Sequence, residues 1–285
     1  MIGELKSSDI ANTISMTRSY HKGPIVVVEG VTDSRLFGKF ISRNEVKIII
    51  AYSKNNVKKS VAEVCGVRND KKVVGILDAD LDRLFGKKTS PPIFFVDKRD
   101  METMILSTRA LDDMLAEYSD SEKLDAFEEK HGKIGDVLAR SAYPIGILMF
   151  ISARENLGFS FKNIDHSTFI AKNTLAIDIM RMIIEVYHQS INAGVSKKDL
   201  IDMISEEEEV LDDPWIAVRG HDAVSILAIG LSETFGSYNS KNIDSDQVAG
   251  ALRLAFNIDY FRETDLYKDT VKWSQRNNFV LWVTQ

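Results

Sequence analysis

PIVVVEG at residues 24–30 and VVGILDAD at residues 73–80 decide the fold of this chain. Each is an apolar run that ends in acid: Glu29 before Gly30 in the first, Asp78 and Asp80 in the second. A strand with one wet face alternates apolar and polar residues, whereas a strand covered on both faces stays apolar throughout, as in parallel sheets. Both runs therefore predict buried parallel strands with carboxylates at their ends.

The segments around them fit that reading. Residues 32–42 place Leu36, Phe37, Phe40 and Ile41 on one helical face, with Thr32 or Asp33 available as a cap. VKIIIAY at 46–52 predicts a second strand, 56–65 a helix with Val57, Val61 and Val64 on one side, and PIFFVDK at 92–98 a fourth strand. A leading helix within 1–23 and a helix over 101–117 complete the unit. The alternation predicts an α/β fold, a parallel sheet flanked by helices, over residues 1–118. Residues 119–285 predict a mainly helical second domain for partner or substrate binding and dimerisation. There, 174–191, 197–211, VSILAIGLSETF (224–235) and QVAGALRLAF (247–256) carry helical apolar faces, and YPIGILMFIS (143–152) fits either a fifth strand or a buried helix. The tail, 260–285, holds Trp273 and Trp282 and reads as a packed closing segment.

Composition bounds the function. The chain has 285 residues, 44% of them apolar and 27% charged, an ordinary globular balance. One cysteine, Cys65 in an apolar stretch, allows neither a disulfide framework nor a cysteine zinc cluster. The first residues lack a basic start followed by an apolar block, and no eighteen-residue apolar run occurs, so a cytoplasmic protein is expected. The net charge of −6 includes the acidic run Glu206 to Glu209 with Asp212 and Asp213, and does not by itself favour nucleic acid. Lys162, Lys172, Arg181, Lys197 and Lys198 are candidates for phosphate contact, although solvated surface is the plainer reading of each.

Carboxylates gathered at strand ends need a reason. Two unit charges about 4 Å apart repel by about 4 kcal/mol at an effective dielectric of 20. A divalent cation removes that cost, and an all-oxygen ligand set suits Mg²⁺ or Mn²⁺ rather than zinc. Ligands of open parallel sheets bind at the carboxyl ends of the strands, where strand order reverses. Extended chain would also put Asp78 and Asp80 on one side. The plainer alternative is that these acids cap helices, Asp33 above all.

VVVEGVTDSRLF (26–37) followed by VVGILDAD resembles the Toprim domain. VDKRDMETMIL (96–106), AYSKNNVKKSV (51–61) and VRGHDAVSIL (218–227) are similar to motifs of Toprim-like proteins related to OLD nucleases, with size and layout like the effectors of PARIS anti-phage systems. In the second of these, Ser53 stands where that group carries glycine. The resemblance implies an Mg²⁺-dependent (or Mn²⁺-dependent) nuclease with catalytic residues Glu29, Asp33, Asp78, Asp80, Glu102 and His221. Glu29, Asp78 and Asp80 would hold the metal and Lys54 would grip a phosphate. Glu102 equally supplies a negative charge to a first helical turn, and the Gly-His-Asp around His221 equally starts a helix. Asp82 reads as a solvated loop carboxylate. The resemblance further implies a nucleic-acid substrate, tRNA before DNA, a homodimeric active form and an anti-phage abortive-infection role. It also implies a separate ABC-type ATPase partner, and the chain itself carries no GxxxxGK[ST] motif. An OLD-like DNA endonuclease and a catalytically silent adaptor are the rivals.

Overall fold

The computed structural model describes residues 6–190, 194–208 and 212–283. Glu209, the last residues of the stretches expected to be helical over 174–191 and 197–211, and both chain ends lie outside the described residues.

Along the chain run α1 (Ser7–Thr17), β1 (Ile25–Val28), α2 (Val31–Phe37), β2 (Lys47–Ile50), α3 (Lys54–Ala62), β3 (Val73–Leu77) and β4 (Ile93–Phe95). Helices follow: α4 (Met101–Leu106), α5 (Ala110–Tyr118), α6 (Ser121–His131), α7 (Ile134–Arg154), α8 (Ile179–His188) and α9 (Lys197–Glu208). The last are α10 (Gly220–Glu233), α11 (Ser245–Ala255), α12 (Ile258–Glu263) and α13 (Asp265–Arg276). The fold is thus α/β, with a parallel sheet flanked by helices and a helical C-terminal half, as expected.

Two compact units arise. The first comprises residues 1–79, 87–101 and the chain from Asn257 onward; the second comprises 80–86 and 102–256. The compact units divide after residues 79, 86, 101 and 256, with the tail grouped with the sheet; the expected boundary lay at 118.

In the first unit the four strands are all parallel, in the order β2-β1-β3-β4. Val26 pairs with Ile48 on one side and Val74 on the other. The chain leaves β1 for β2 in one direction and then crosses back to β3, so strand order reverses between β1 and β3. One sheet face carries Ile25, Val27, Val73 and Leu77, which join Ile10, Ile14, Val57 and Val61 of α1 and α3 in one buried cluster. Gly75 lets α3 lie close: a Cβ there would come within 2.9 Å of Val57 Cγ1 and 3.3 Å of Val61 Cγ2. The alternate residues face the other way, where Phe94 meets Trp273 of α13 edge-on. The tail is held to α2 and the segment after it by rings. Phe261 stacks on Phe40 at 4.8 Å and meets Trp282 at 4.9 Å, and Trp282 Nε1 donates to Thr270 Oγ1. That aromatic cluster is the physical reason residues after 256 belong with the sheet.

The second unit is built on α7. Residues 143–152 are helix, continuous with 134–142, which settles the open choice between strand and helix. Pro144 inside this run also argues against a central strand, since proline cannot donate to a ladder. The helix is apolar nearly all round because α9 and α10 cover it. Among the described residues it is the helix long and apolar enough to cross a membrane, yet 72% of its most apolar stretch is buried within the protein. The single helix expected over 101–117 is two. Ser107 and Thr108 turn their hydroxyls onto the carbonyls of Met104 and Ile105, which closes α4 before α5 begins.

Candidate functional site

Glu29 and Asp78 each follow the last residue of a central strand, β1 and β3, on either side of the point where strand order reverses. Glu29 Oε1 accepts the backbone N–H of Asp78 at 3.1 Å, so the Glu29 side chain reaches the end of β3 through the Asp78 main chain. Asp78 Oδ1 in turn accepts the N–H of Met101, the first residue of α4, at 3.1 Å. Asp33 Oδ2 accepts the N–H of Gly30 at 2.7 Å. Each carboxylate therefore receives a backbone donor, and such bonds offset part of the repulsion among like charges.

Asp33 is the acid whose capping role is explicit. It occupies the first turn of α2 and closes the turn that Gly30 opens. Burial raises its pKa above the usual carboxylate range, and the Gly30 N–H opposes this without cancelling it. An acid with a raised folded pKa binds its proton more tightly when folded. Stability from this group is thus present below about pH 3.8, the ordinary value, and is lost as pH rises through the folded pKa. Asp33→Asn keeps an oxygen for Gly30 and removes the charge. It is expected to gain on the wild type as pH rises above about 3.8, and to be at least as stable at pH 7 in urea denaturation. A loss of more than about 1 kcal/mol at pH 7 would show instead that the helix-terminal charge dominates.

Lys54 is the first residue of α3 and is half-buried. Its Nζ donates to the carbonyl oxygen of Ala79 at 3.0 Å and lies 5.1 Å from the centre of the Phe95 ring. Lys54 follows β2 and Ala79 follows β3, so the side chain crosses the end of β1, where Glu29 sits. The preceding turn is strained: Tyr52 has φ +62, a left-handed conformation unusual for a bulky residue, and Ser53 caps α3 from its side chain.

Of the acids in the 96–106 motif, Asp97 has a structural role. Its two oxygens accept the N–H groups of Asp265 and Leu266 at 2.7 and 2.8 Å, which caps α13. Asp100 and its neighbour Arg99 are buried, a feature the sequence did not single out.

Asp80 and Glu102 fall in the second unit. Asp80 is exposed and has φ +51, so the extended backbone on which its alignment with Asp78 was predicated ends there. Glu102 stands in the first turn of α4 with Arg253 Nη1 3.7 Å from its Oε1. His221 is exposed, whereas Asp222 beside it is fully buried. Asp222 receives His166 Nε2 at 2.9 Å and Arg219 Nε at 2.9 Å, while His221 Nδ1, at 3.9 Å, is beyond hydrogen-bond reach. Burial pushes the Asp222 pKa up, but His166, His221 and Arg219 together outweigh it and hold the carboxyl well below the usual range. In the Gly-His-Asp motif, then, the aspartate is the structurally committed residue. His166, its partner, lies 56 residues away and no local pattern marks it.

Three of the basic candidates have other engagements. Lys172 pairs with Glu233 at 2.8 Å, Arg181 with Asp178 at 3.4 Å, and Lys197 lies over the Tyr187 ring. Among the described residues no group of three or more His, Cys, Asp or Glu side chains is arranged to hold a metal ion. No protein-family model matches this chain, and no curated protein matches it.

Proposed function

We propose that this protein is an Mg²⁺-dependent nuclease, with RNA and specifically tRNA as its preferred substrate. We place it as the effector of an anti-phage abortive-infection system, restrained by a separate ABC-type ATPase and active as a homodimer. The observation that carries the reading is the pair Glu29 and Asp78 at the switch point, joined through Glu29 Oε1 and the Asp78 N–H.

That pair fits the hard cation. Mg²⁺ ordinarily takes only one or two carboxylates and completes its shell with water and substrate phosphate oxygens, so a cage of three acids is not required. When bound, the ion would polarise the phosphoryl group and offset the charge that develops on it. Asp78, braced by the Met101 N–H, and Glu29 would hold it. Lys54 brings a positive charge over the same strand end, where a phosphate oxygen would lie. In this reading Glu29 would also take a proton from the attacking water and return it to the leaving oxygen, while the phosphorus–oxygen bond to water forms and the bond to the leaving oxygen breaks.

A second reading has its own support. Asp33, Asp78 and Asp97 all cap backbone N–H groups, as acids in a catalytically silent adaptor would. The two readings part in one assay. The purified chain is incubated with labelled tRNA and with duplex DNA, in Mg²⁺, in Mn²⁺ and in EDTA. Cleavage of tRNA that needs the divalent ion supports the nuclease; metal-dependent cleavage of DNA alone would select the OLD-like alternative. Absence of cleavage in every metal would leave the adaptor standing.

A further inference from the structure

The sheet unit carries a second feature that the acidic site does not use. An open groove of about 490 Å³ runs between α2 and the edge strand β2. Arg35, Lys39, Arg43 and Lys47 line it, together with apolar residues such as Ile41 and Ile48, and no carboxylate does. In a chain with 42 acidic and 36 basic residues, four cations gathered without an acid run against the average. The acids nearest in sequence are Asp33, whose Oδ2 accepts the Gly30 N–H, and Glu45, which lines an adjoining groove beside residues 280–283. Among the described residues Arg35, Arg43 and Lys47 enter no ion pair; Lys47 makes only a long contact of 3.5 Å to the Arg43 carbonyl. Arg35, Arg43 and Lys47 are like charges on one groove and repel, so the groove gains from a polyanion.

The groove also has a direction. It begins at Val31, two residues beyond Glu29, and follows one face of α2 through Ser34, Arg35 and Gly38 toward Lys47, at the opposite end of β2 from the acidic site. A strand of nucleic acid lying in it would be led toward the carboxylates. We infer that this groove binds the phosphodiester backbone of a nucleic-acid strand, contacting up to four phosphates through Arg35, Lys39, Arg43 and Lys47. The inference rests on the nuclease reading for its purpose, but binding can be measured without cleavage.

The test is fluorescence anisotropy with a labelled single-stranded 20-mer RNA in EDTA, across a salt series, comparing wild type with the Arg43→Gln, Lys47→Gln double variant. Four phosphate contacts on a single strand give a log–log salt slope of about −2.8, or roughly a fiftyfold loss of affinity from 50 to 200 mM salt. Removing two should flatten the slope to about −1.4, roughly sevenfold over the same range. Affinity at low salt should fall at least about tenfold, with circular dichroism and melting unchanged. An unchanged slope and affinity in the variant would overturn the groove, even if the protein cleaves RNA. RNA binding lost in the variant while no cleavage is ever seen would support the groove and sink the nuclease reading alone. A wild type that ignores the RNA but self-associates, with Lys47→Gln abolishing the association, would show that the β2 edge is a protein interface and would overturn the proposal.

Discussion

Asp222→Ala should destabilise the helical unit by about 3–5 kcal/mol, the usual cost of removing one member of a buried charged cluster. Asp222 is fully buried at the start of α10 and is the common acceptor for His166 and Arg219. Arg219 also reaches the Phe161 carbonyl oxygen, so the cluster ties α10 to Phe161 as well as to His166. Deleting the carboxylate leaves a guanidinium and a buried imidazole without their acceptor, a penalty larger than the net gain from forming the bonds. The pH dependence has a definite sign. The folded carboxyl titrates below the unfolded value of 3.8, so its contribution is present in full above that value and fades as pH falls below it. Urea denaturation at pH 7 and near pH 3 should show the wild-type advantage over Asp222→Asn shrinking at the lower pH. A loss below about 1 kcal/mol for Asp222→Ala would show that the cluster is not a structural centre. His221→Ala, which removes an exposed ring, should change stability little.

How much of this was legible follows from which forces act locally. Strand runs such as Ile25–Val28 and Val73–Leu77 are apolar on both faces, and that pattern alone gives buried parallel strands. Glu29 and Asp78 could be placed together because parallel strands put their carboxyl ends at one edge. Asp80 could not be placed so, since its left-handed backbone is a choice of the turn. The caps made by Asp97 to α13 and the His166–Asp222 bond join residues 168 and 56 positions apart, and periodicity carries no information at that range. The tail was recognised as a packed segment from its tryptophans. Its destination against Phe37 and Phe40 depended on ring geometry that only the fold supplies.

Glu29→Gln is the substitution that separates chemistry from folding at the acidic site. The glutamine would keep the size of the side chain and an oxygen for the Asp78 N–H, which Glu29 holds at 3.1 Å. What it loses is the negative charge and the capacity to accept a proton. Stability at pH 7 should therefore stay within about 1 kcal/mol of wild type. The cleavage rate should fall by about 10²–10⁴-fold, the range that a general base contributes. Glu29→Ala is the less clean variant: it leaves the half-buried Asp78 N–H to find another acceptor, which costs about 1–3 kcal/mol where water cannot serve. Lost activity in the alanine protein alone would therefore say little. Metal dependence adds a further separation. If Glu29 chiefly holds the ion, the glutamine variant should need more Mg²⁺ and recover part of its rate at high concentration. If Glu29 chiefly moves the proton, the deficit should persist at saturating metal and shrink as pH rises, because hydroxide then does the base's part. A folded Glu29→Gln protein with the wild-type rate and metal dependence would remove Glu29 from both roles, and the acids at this edge would then be caps.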